Sequence, residues 1–260
     1  FSLPGSQYKF RDWKKGGHGE VNLHKAIVES VDTYFYKLAH DLEIETIHRY
    51  LTRFGFGSKT GIDLPREASG IAPSKAWKKR RFEQPWYPGD TISVGIGQGY
   101  NLVTPLQLAV ATAALANGQP WVRPGLSRFG ARPFSARASP SPQPNPGQPL
   151  MLSSKHIHVL QKAMEDVMRS GGTAAGAARG ADYSMAGKTG TAQVFSLKGA
   201  EYDEDSLEKR LQDHALFVGY APANQPTIAL AVVVENGGGG GSVAAPIARK
   251  VFDAYFDARP

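Results

Sequence analysis

The stretch Ala186-Gly187-Lys188-Thr189-Gly190-Thr191-Ala192-Gln193 gathers a cation, two hydroxyls, an amide and two glycines. Such a set suits recognition of an anion, because the ammonium supplies charge and the hydroxyls donate hydrogen bonds. Run as a strand, side chains alternate, so Lys188 and Gly190 share one face and Thr189 and Thr191 the other unless the strand twists. Gly190 leaves its face bare for another backbone or a ligand. A second candidate is Ser30-Val31-Asp32, a hydroxyl and a carboxylate two residues apart. Asp12 and His18 make a third pair, within a glycine-punctuated loop. A stable metal site needs more ligands than these two, so a hydrogen-bonded loop pair is expected there, with no metal and no other cofactor.

The elements that must position these residues can be read from apolar spacing. Asn22 is placed to cap a helix in which Leu23, Ile27 and Val31 follow at four-residue steps, with Leu38 beyond. On that reading Ser30 lies inside an apolar helical run. Ile44, Ile47 and Leu51 predict a second helical stripe ended by Gly55 and Gly57. Gly61 to Asp90 reads as a long irregular region rich in Trp, Lys and Arg. Ser93 to Tyr100 is glycine-rich, but no G-K-[ST] follows it, which argues against a phosphate loop. Thr104 and Pro105 open an apolar helix that stops at Asn117-Gly118.

Arg123 to Pro149 reads as a Pro- and Ser-rich surface loop. Ser154 to Met168 is amphipathic, with Ile157, Leu160, Met164 and Val167 on one face, and a small-residue loop leads from it to the Lys188 strand. Lys198 to Asp213 is a charged loop. Ala215 to Ala221 and Thr227 to Glu235 predict two more strands in a meander, the second apolar enough to be buried on both faces. The Lys188 strand is then outermost and can accept an extended peptide as one further strand. Last, Ser242 is expected to cap a helix bearing Val243, Ile247, Val251 and Tyr255.

Composition narrows the function classes. The chain has 260 residues, 41% of them hydrophobic, which supports a folded core. It has no cysteine, so disulfides, thiolate nucleophiles and cysteine-rich zinc sites are excluded. The net charge is +7, but the cations are scattered and sit in no nucleic-acid-binding module, so no nucleic-acid partner is expected. No apolar run reaches the roughly 18 residues that span a bilayer.

A lysine–threonine–glycine triplet alone is common. Its company here is not: Arg11-Asp12-Trp13-Lys14-Lys15, Ser30-Val31-Asp32, Thr60-Gly61-Ile62-Asp63-Leu64, Gly95-Ile96-Gly97-Gln98-Gly99, Thr104-Pro105-Leu106-Gln107, Lys188 to Gln193, Gly219-Tyr220-Ala221-Pro222 and Glu235-Asn236-Gly237. In this order and spacing the chain resembles, over nearly its whole length, the transpeptidase domain of class B penicillin-binding proteins, nearest the elongation type of Gram-negative bacteria. That family carries S-x-x-K, S-x-[ND] and K-[ST]-G motifs.

Two of the three motifs are present. Ser6-Gln7-Tyr8-Lys9 and Ser206-Leu207-Glu208-Lys209 also spell S-x-x-K. The first leads into Phe10-Arg11-Asp12-Trp13, which is no core helix, and the second follows the third motif, so both read as coincidences. The nucleophile and its lysine are expected upstream of Phe1, together with an anchor and pedestal. These 260 residues are then the C-terminal portion of the domain, and that portion is expected to be catalytically silent and unstable alone.

The resemblance implies an α+β fold, with a five-stranded antiparallel sheet between helical layers and the C-terminal strands in this chain. It implies a peptidoglycan D,D-transpeptidase that acts through a serine acyl-enzyme and is acylated by β-lactams. Ser30 would pass a proton, Asp32 would orient the upstream lysine, and Lys188 would attract the substrate carboxylate and oxyanion. Thr189, Gly190, Thr191 and Gln193 would line the substrate. Implied partners are stem peptides ending D-Ala-D-Ala, β-lactams and membrane proteins of an elongation complex, with the domain in the periplasm and the anchor in the inner membrane. D,D-carboxypeptidases, serine β-lactamases and non-catalytic β-lactam sensors remain the alternatives.

Overall fold

A computed structural model describes residues 1–118, 123–126, 152–194 and 208–258. The Pro-rich loop from residue 127 on and residues 198–207 of the charged loop, Ser206 among them, lie outside the described residues. The chain divides into two units: residues 1–17, 32–114 and 118–152 form one, and residues 18–31, 115–117 and 153–260 the other.

The first unit is helical. Helix α2 (Asp32–Arg53) is two helical segments joined at Glu43, whose φ is 58°. The second expected stripe follows that kink, whereas the first is divided, with Leu38 in α2 and Leu23 and Ile27 in a separate earlier helix. Asp12 caps the start of α2, accepting from both the backbone N–H and the hydroxyl of Thr33. The expected irregular region holds two helices instead. Helix α3 (Lys75–Phe82) begins where the Ser74 hydroxyl accepts from the Trp77 N–H, and α4 (Pro88–Gly95) begins at a proline. Neither has an apolar stripe long enough to show a helical period, so only the capping residues carried the signal.

Ser93 to Gly95 therefore end a helix, and Gly95 has a packing role. A Cβ there would stand 2.3 Å from the Ala39 Cβ, so α2 and α4 meet through a residue with no side chain. In α3, Lys78 is buried and its ammonium sits 2.5 Å from Asp90 and 4.4 Å from the centre of the Tyr87 ring. Burial works against that ammonium, but the Asp90 carboxylate outweighs it and holds the Lys78 pKa above its ordinary value.

Helix α5 (Pro105–Asn117) starts as expected. The Thr104 hydroxyl accepts from the Gln107 N–H, and the Gln107 side chain accepts in return from the Thr104 N–H, a reciprocal capping box. The buried Gln107 amide also donates to the carbonyls of Ser58 and Ser69, at 2.7 and 2.8 Å.

The second unit holds α1 (Leu23–Val28), α6 (Ser154–Val167), a short α7 (Ala175–Ala178), strands β1 (Ala186–Ala192), β2 (His214–Ala221) and β3 (Ile228–Val234), and α8 (Ala245–Asp257). The small-residue loop before the Lys188 strand is thus partly helical. The strands pair antiparallel in the order β1-β2-β3, with Lys188 opposite Val218 and Val218 opposite Ala231. The expected meander is present with β1 at its edge, and these are the three strands among the described residues.

Three expectations about the end of the chain are corrected. Strand β3 is only half-buried, and Val233 is exposed, because β2 is its single strand neighbour among the described residues. Helix α8 buries Ala245, Ala248 and Phe252 and leaves Ile247 and Val251 exposed, the reverse of the expected face. The alanines let α8 lie close to the sheet, which bulkier side chains would prevent. Ser242 is not its cap: it lies in a π turn over Gly240–Ala244, where its hydroxyl donates to the carbonyl of Gly239 just before the turn, and Pro246 sits in the first turn of the helix.

Candidate active site

Lys188 is set by β1, and Ser30 by the end of α1. Asn22 caps α1 as expected, accepting from the Lys25 N–H at 2.9 Å. The helix does not run through Ser30. The Val31 N–H bonds to the Ala26 carbonyl and the Ser30 N–H to Ile27, which closes the helix in a Schellman pattern. Ser30 occupies the left-handed position of that pattern, at φ 56°, where glycine is usual. Such a conformation costs a non-glycine residue roughly 1–2 kcal/mol. Apolar spacing continued past this point because Val31, though outside the helix, is itself buried.

The strained turn is braced. His18 is buried, with Nδ1 2.7 Å from the carboxylate of Glu29, the residue before Ser30. The Lys25 ammonium donates to the His18 carbonyl. Asp12 and His18 thus have separate hydrogen-bonding duties, one at the start of α2 and one at the end of α1. No group of three or more His, Asp or Glu suited to a metal occurs among the described residues.

The Lys188 ammonium donates to the Ser30 Oγ at 2.8 Å and to the Thr189 carbonyl at 2.8 Å, and stands 3.5 Å from the Thr189 Oγ1. Two residues 158 positions apart in the sequence therefore share a hydrogen bond. The Thr189 Oγ1 is also 2.8 Å from the Thr173 Oγ1. Lys188, Thr189 and Gly190 are half-buried and Thr191 is exposed; Gln193 is exposed just past the end of the strand. Asp32 is the first residue of α2, where its negative charge suits the helix N-terminus. Together with burial, the larger influence, Asp32 and Asp12 push the Tyr36 hydroxyl pKa upward.

A Cβ at Gly190 would meet the Leu216 Cβ at 3.2 Å, while the π turn packs on the backbone of the two strands. A Cβ at Gly240 would stand 2.3 Å from the Gly190 carbonyl and 2.4 Å from that of Leu216, so the backbone of the π turn lies directly on β1 and β2. Nearby, the Phe217 ring fills the space at Gly187 and Gly219, where any Cβ would meet it at 2.3 and 2.6 Å. The strand is thus held from below by glycine contacts, while its outer edge has no partner strand among the described residues. The sequence reading did not single out Thr173, whose only signal is its place after Gly171-Gly172.

A cation bonded to a serine, beside a hydroxyl-bearing strand edge, is an arrangement that can move a proton and hold a carboxylate. Residues 1–253 match the family model of the penicillin binding protein transpeptidase domain. The chain belongs to that family. It is 49% identical over 262 residues to the peptidoglycan D,D-transpeptidase MrdA of Acinetobacter baumannii, covering 100% of this chain and 38% of that protein. It is 41% identical over 255 residues to MrdA of Escherichia coli K12, covering 97% of this chain and 40% of that one. Among solved structures, Pseudomonas aeruginosa PBP2 in complex with WCK 5153 superposes with a TM-score of 0.85 at 42% identity, covering 98% of this chain and 53% of that one. Helicobacter pylori PBP2, solved with MreC, gives a TM-score of 0.82 at 36% identity, covering 97% and 43%.

The chain spans about two-fifths of the length of these curated relatives. The penicillin-binding transpeptidase fold is the fold of this chain, with its mixed helices and antiparallel sheet.

Proposed function

We propose that this chain supplies the second and third motifs of a serine peptidoglycan D,D-transpeptidase, completed by an S-x-x-K serine and lysine from outside these 260 residues. The observation that carries the reading is the 2.8 Å bond from Lys188 to Ser30 beside the exposed edge of β1. The substrate is a stem peptide ending D-Ala-D-Ala. Its terminal carboxylate pairs with Lys188 and accepts from the hydroxyls of Thr189 and Thr191, with Gly190 and Gln193 lining the same strand.

The serine Oγ forms a bond to the penultimate carbonyl carbon while its proton leaves to the paired lysine. The Thr191 N–H contributes to the oxyanion hole, and one such donor is typically worth ~2.7–4 kcal/mol. Ser30, fed by Lys188, relays a proton to the departing D-Ala nitrogen as the C–N bond breaks. Asp32 orients the upstream lysine. An amine of a second stem then attacks the ester carbonyl, a C–N bond forms as the C–O bond to the serine breaks, and the proton lost by the amine returns to the serine oxygen. β-Lactams enter by the same first step.

Because the substrate lies outside the inner membrane, the domain works in the periplasm, on an anchor beyond this chain. No described helix is long and apolar enough to cross a membrane. Membrane proteins of an elongation complex are the expected partners, in keeping with the MreC-bound Helicobacter pylori relative.

The test is adduct mapping. The full-length protein is treated with a labelled penicillin, digested and sequenced by mass spectrometry. A single adduct on a serine outside residues 1–260 is expected. An adduct on Ser6 or Ser206, or none at all, overturns the reading.

A further inference from the structure

Thr173 is the hydroxyl that touches the site without belonging to either motif. Its Oγ1 lies 2.8 Å from the Thr189 Oγ1, and its N–H donates to the carbonyl of Val28, the last residue of α1. A tight turn after α6 delivers it: Gly171 has φ 90°, and a Cβ at Gly172 would stand 2.2 Å from the Val167 carbonyl. From the other side, a Cβ at Gly241 would stand 2.2 Å from the Thr173 carbonyl and 3.6 Å from the Thr189 Cγ2. Thr173 is therefore pinned against the helix that ends at Ser30, the strand that carries Lys188, and the π turn beneath that strand.

The consequence is one of donor direction. A threonine hydroxyl has a single hydrogen and accepts through its lone pairs. If Thr189 points its hydrogen at Thr173, it has none left for an incoming carboxylate. If Thr173 donates, the Thr189 hydrogen is free to turn outward while its oxygen stays anchored. Lys188, at 3.5 Å, is too distant to hold the Thr189 oxygen alone.

We propose that Thr173 is a positioning residue whose hydroxyl donates to Thr189 and thereby makes Thr189 a hydrogen-bond donor to the substrate carboxylate. The inference rests on the transpeptidase reading above.

The experiment compares acylation of the full-length protein by benzylpenicillin and by its methyl ester, which lacks the carboxylate. In Thr173→Val, acylation by the acid should slow about tenfold, the equivalent of one hydrogen bond to a charged group. Acylation by the ester should be unchanged, and Thr173→Ser should restore the acid rate. Thr173→Ala is read in the same way if the valine variant does not fold. Equal losses with acid and ester, an unchanged acid rate, failure of serine to rescue, or failure of both hydroxyl-free variants to fold would each overturn the proposal. If the unaltered protein is acylated by neither compound, the transpeptidase reading itself has failed, and this proposal falls with it.

Discussion

Two lysines in this chain are held in opposite ways. Lys78 is buried, with its ammonium 2.5 Å from the Asp90 carboxylate and under the rings of Tyr87 and Tyr100. Lys188 is half-buried and donates to the Ser30 hydroxyl and the Thr189 carbonyl. A carboxylate and aromatic faces bind an ammonium too well for it to be shared with a ligand, so Lys78 belongs to the folding of its helix. The Ser30 hydroxyl and the Thr189 carbonyl are neutral partners. Such bonds are weaker and can be exchanged for a charged ligand. The same residue type is a structural peg in one unit and, on the function proposed above, the substrate-binding cation in the other.

The largest effect expected from breaking this contrast is on activity. Lys188→Ala in the full-length protein should lower the acylation rate by a penicillin on the order of 10²–10³-fold, the scale of losing a preorganised electrostatic contact. Its melting temperature should change less than on loss of the buried Lys78, because Lys188 is only half-buried. Kinetics and a thermal melt on one sample check both halves. A large loss of stability with acylation retained would reverse the roles of the two lysines.

The converse substitution sharpens the comparison. Lys78→Met leaves Asp90 without its cation and should destabilise by about 3 kcal/mol, within the range for splitting a buried pair. Urea denaturation measures that directly. Adding Asp90→Leu should recover much of the loss, and the acylation rate of the folded fraction should stay near that of the parent.

A smaller effect separates the strain at Ser30 from its chemistry. Ser30→Gly and Ser30→Ala both remove the hydroxyl that meets Lys188, so both should impair acylation. Only glycine is at ease at φ 56°, so Ser30→Gly should be more stable than Ser30→Ala by about 1 kcal/mol. Equal stabilities would mean that the turn relaxes and that its left-handed residue stores no strain.

Much of the second unit was legible beforehand because its signals are local. The alternation at Lys188, the apolar run at Ile228 and the stops at Pro222 and Asn236 placed three strands nearly to the residue. Asn22, Thr104 and Pro105 marked helix starts through cap chemistry, which needs only neighbouring residues. The misplacements share one cause, the substitution of tertiary contact for periodicity. Helix α3 is rich in Lys and Arg, and its one buried polar anchor, Lys78, looked like a surface charge until Asp90 and the aromatic rings came together around it. Helix α8 turned its alanines inward because the sheet demanded a close approach, leaving Ile247 and Val251 outside.

The order of motifs, the strand order and the absence of thiol chemistry were set by the amino-acid sequence alone, since each depends on residue identity or short-range spacing. It also placed the cation and hydroxyls on one strand. Only the folded chain decided that α1 stops at Ile27 and Val28 with Ser30 in a left-handed turn, that Gly240 packs against the backbone carbonyls of Gly190 and Leu216, and that Thr173 reaches Thr189. The bond between Lys188 and Ser30 spans 158 positions, and no local preference of either segment encodes it. It exists because α1, the turn after α6 and β1 pack into one core, which brings distant hydroxyls and an ammonium within hydrogen-bond reach.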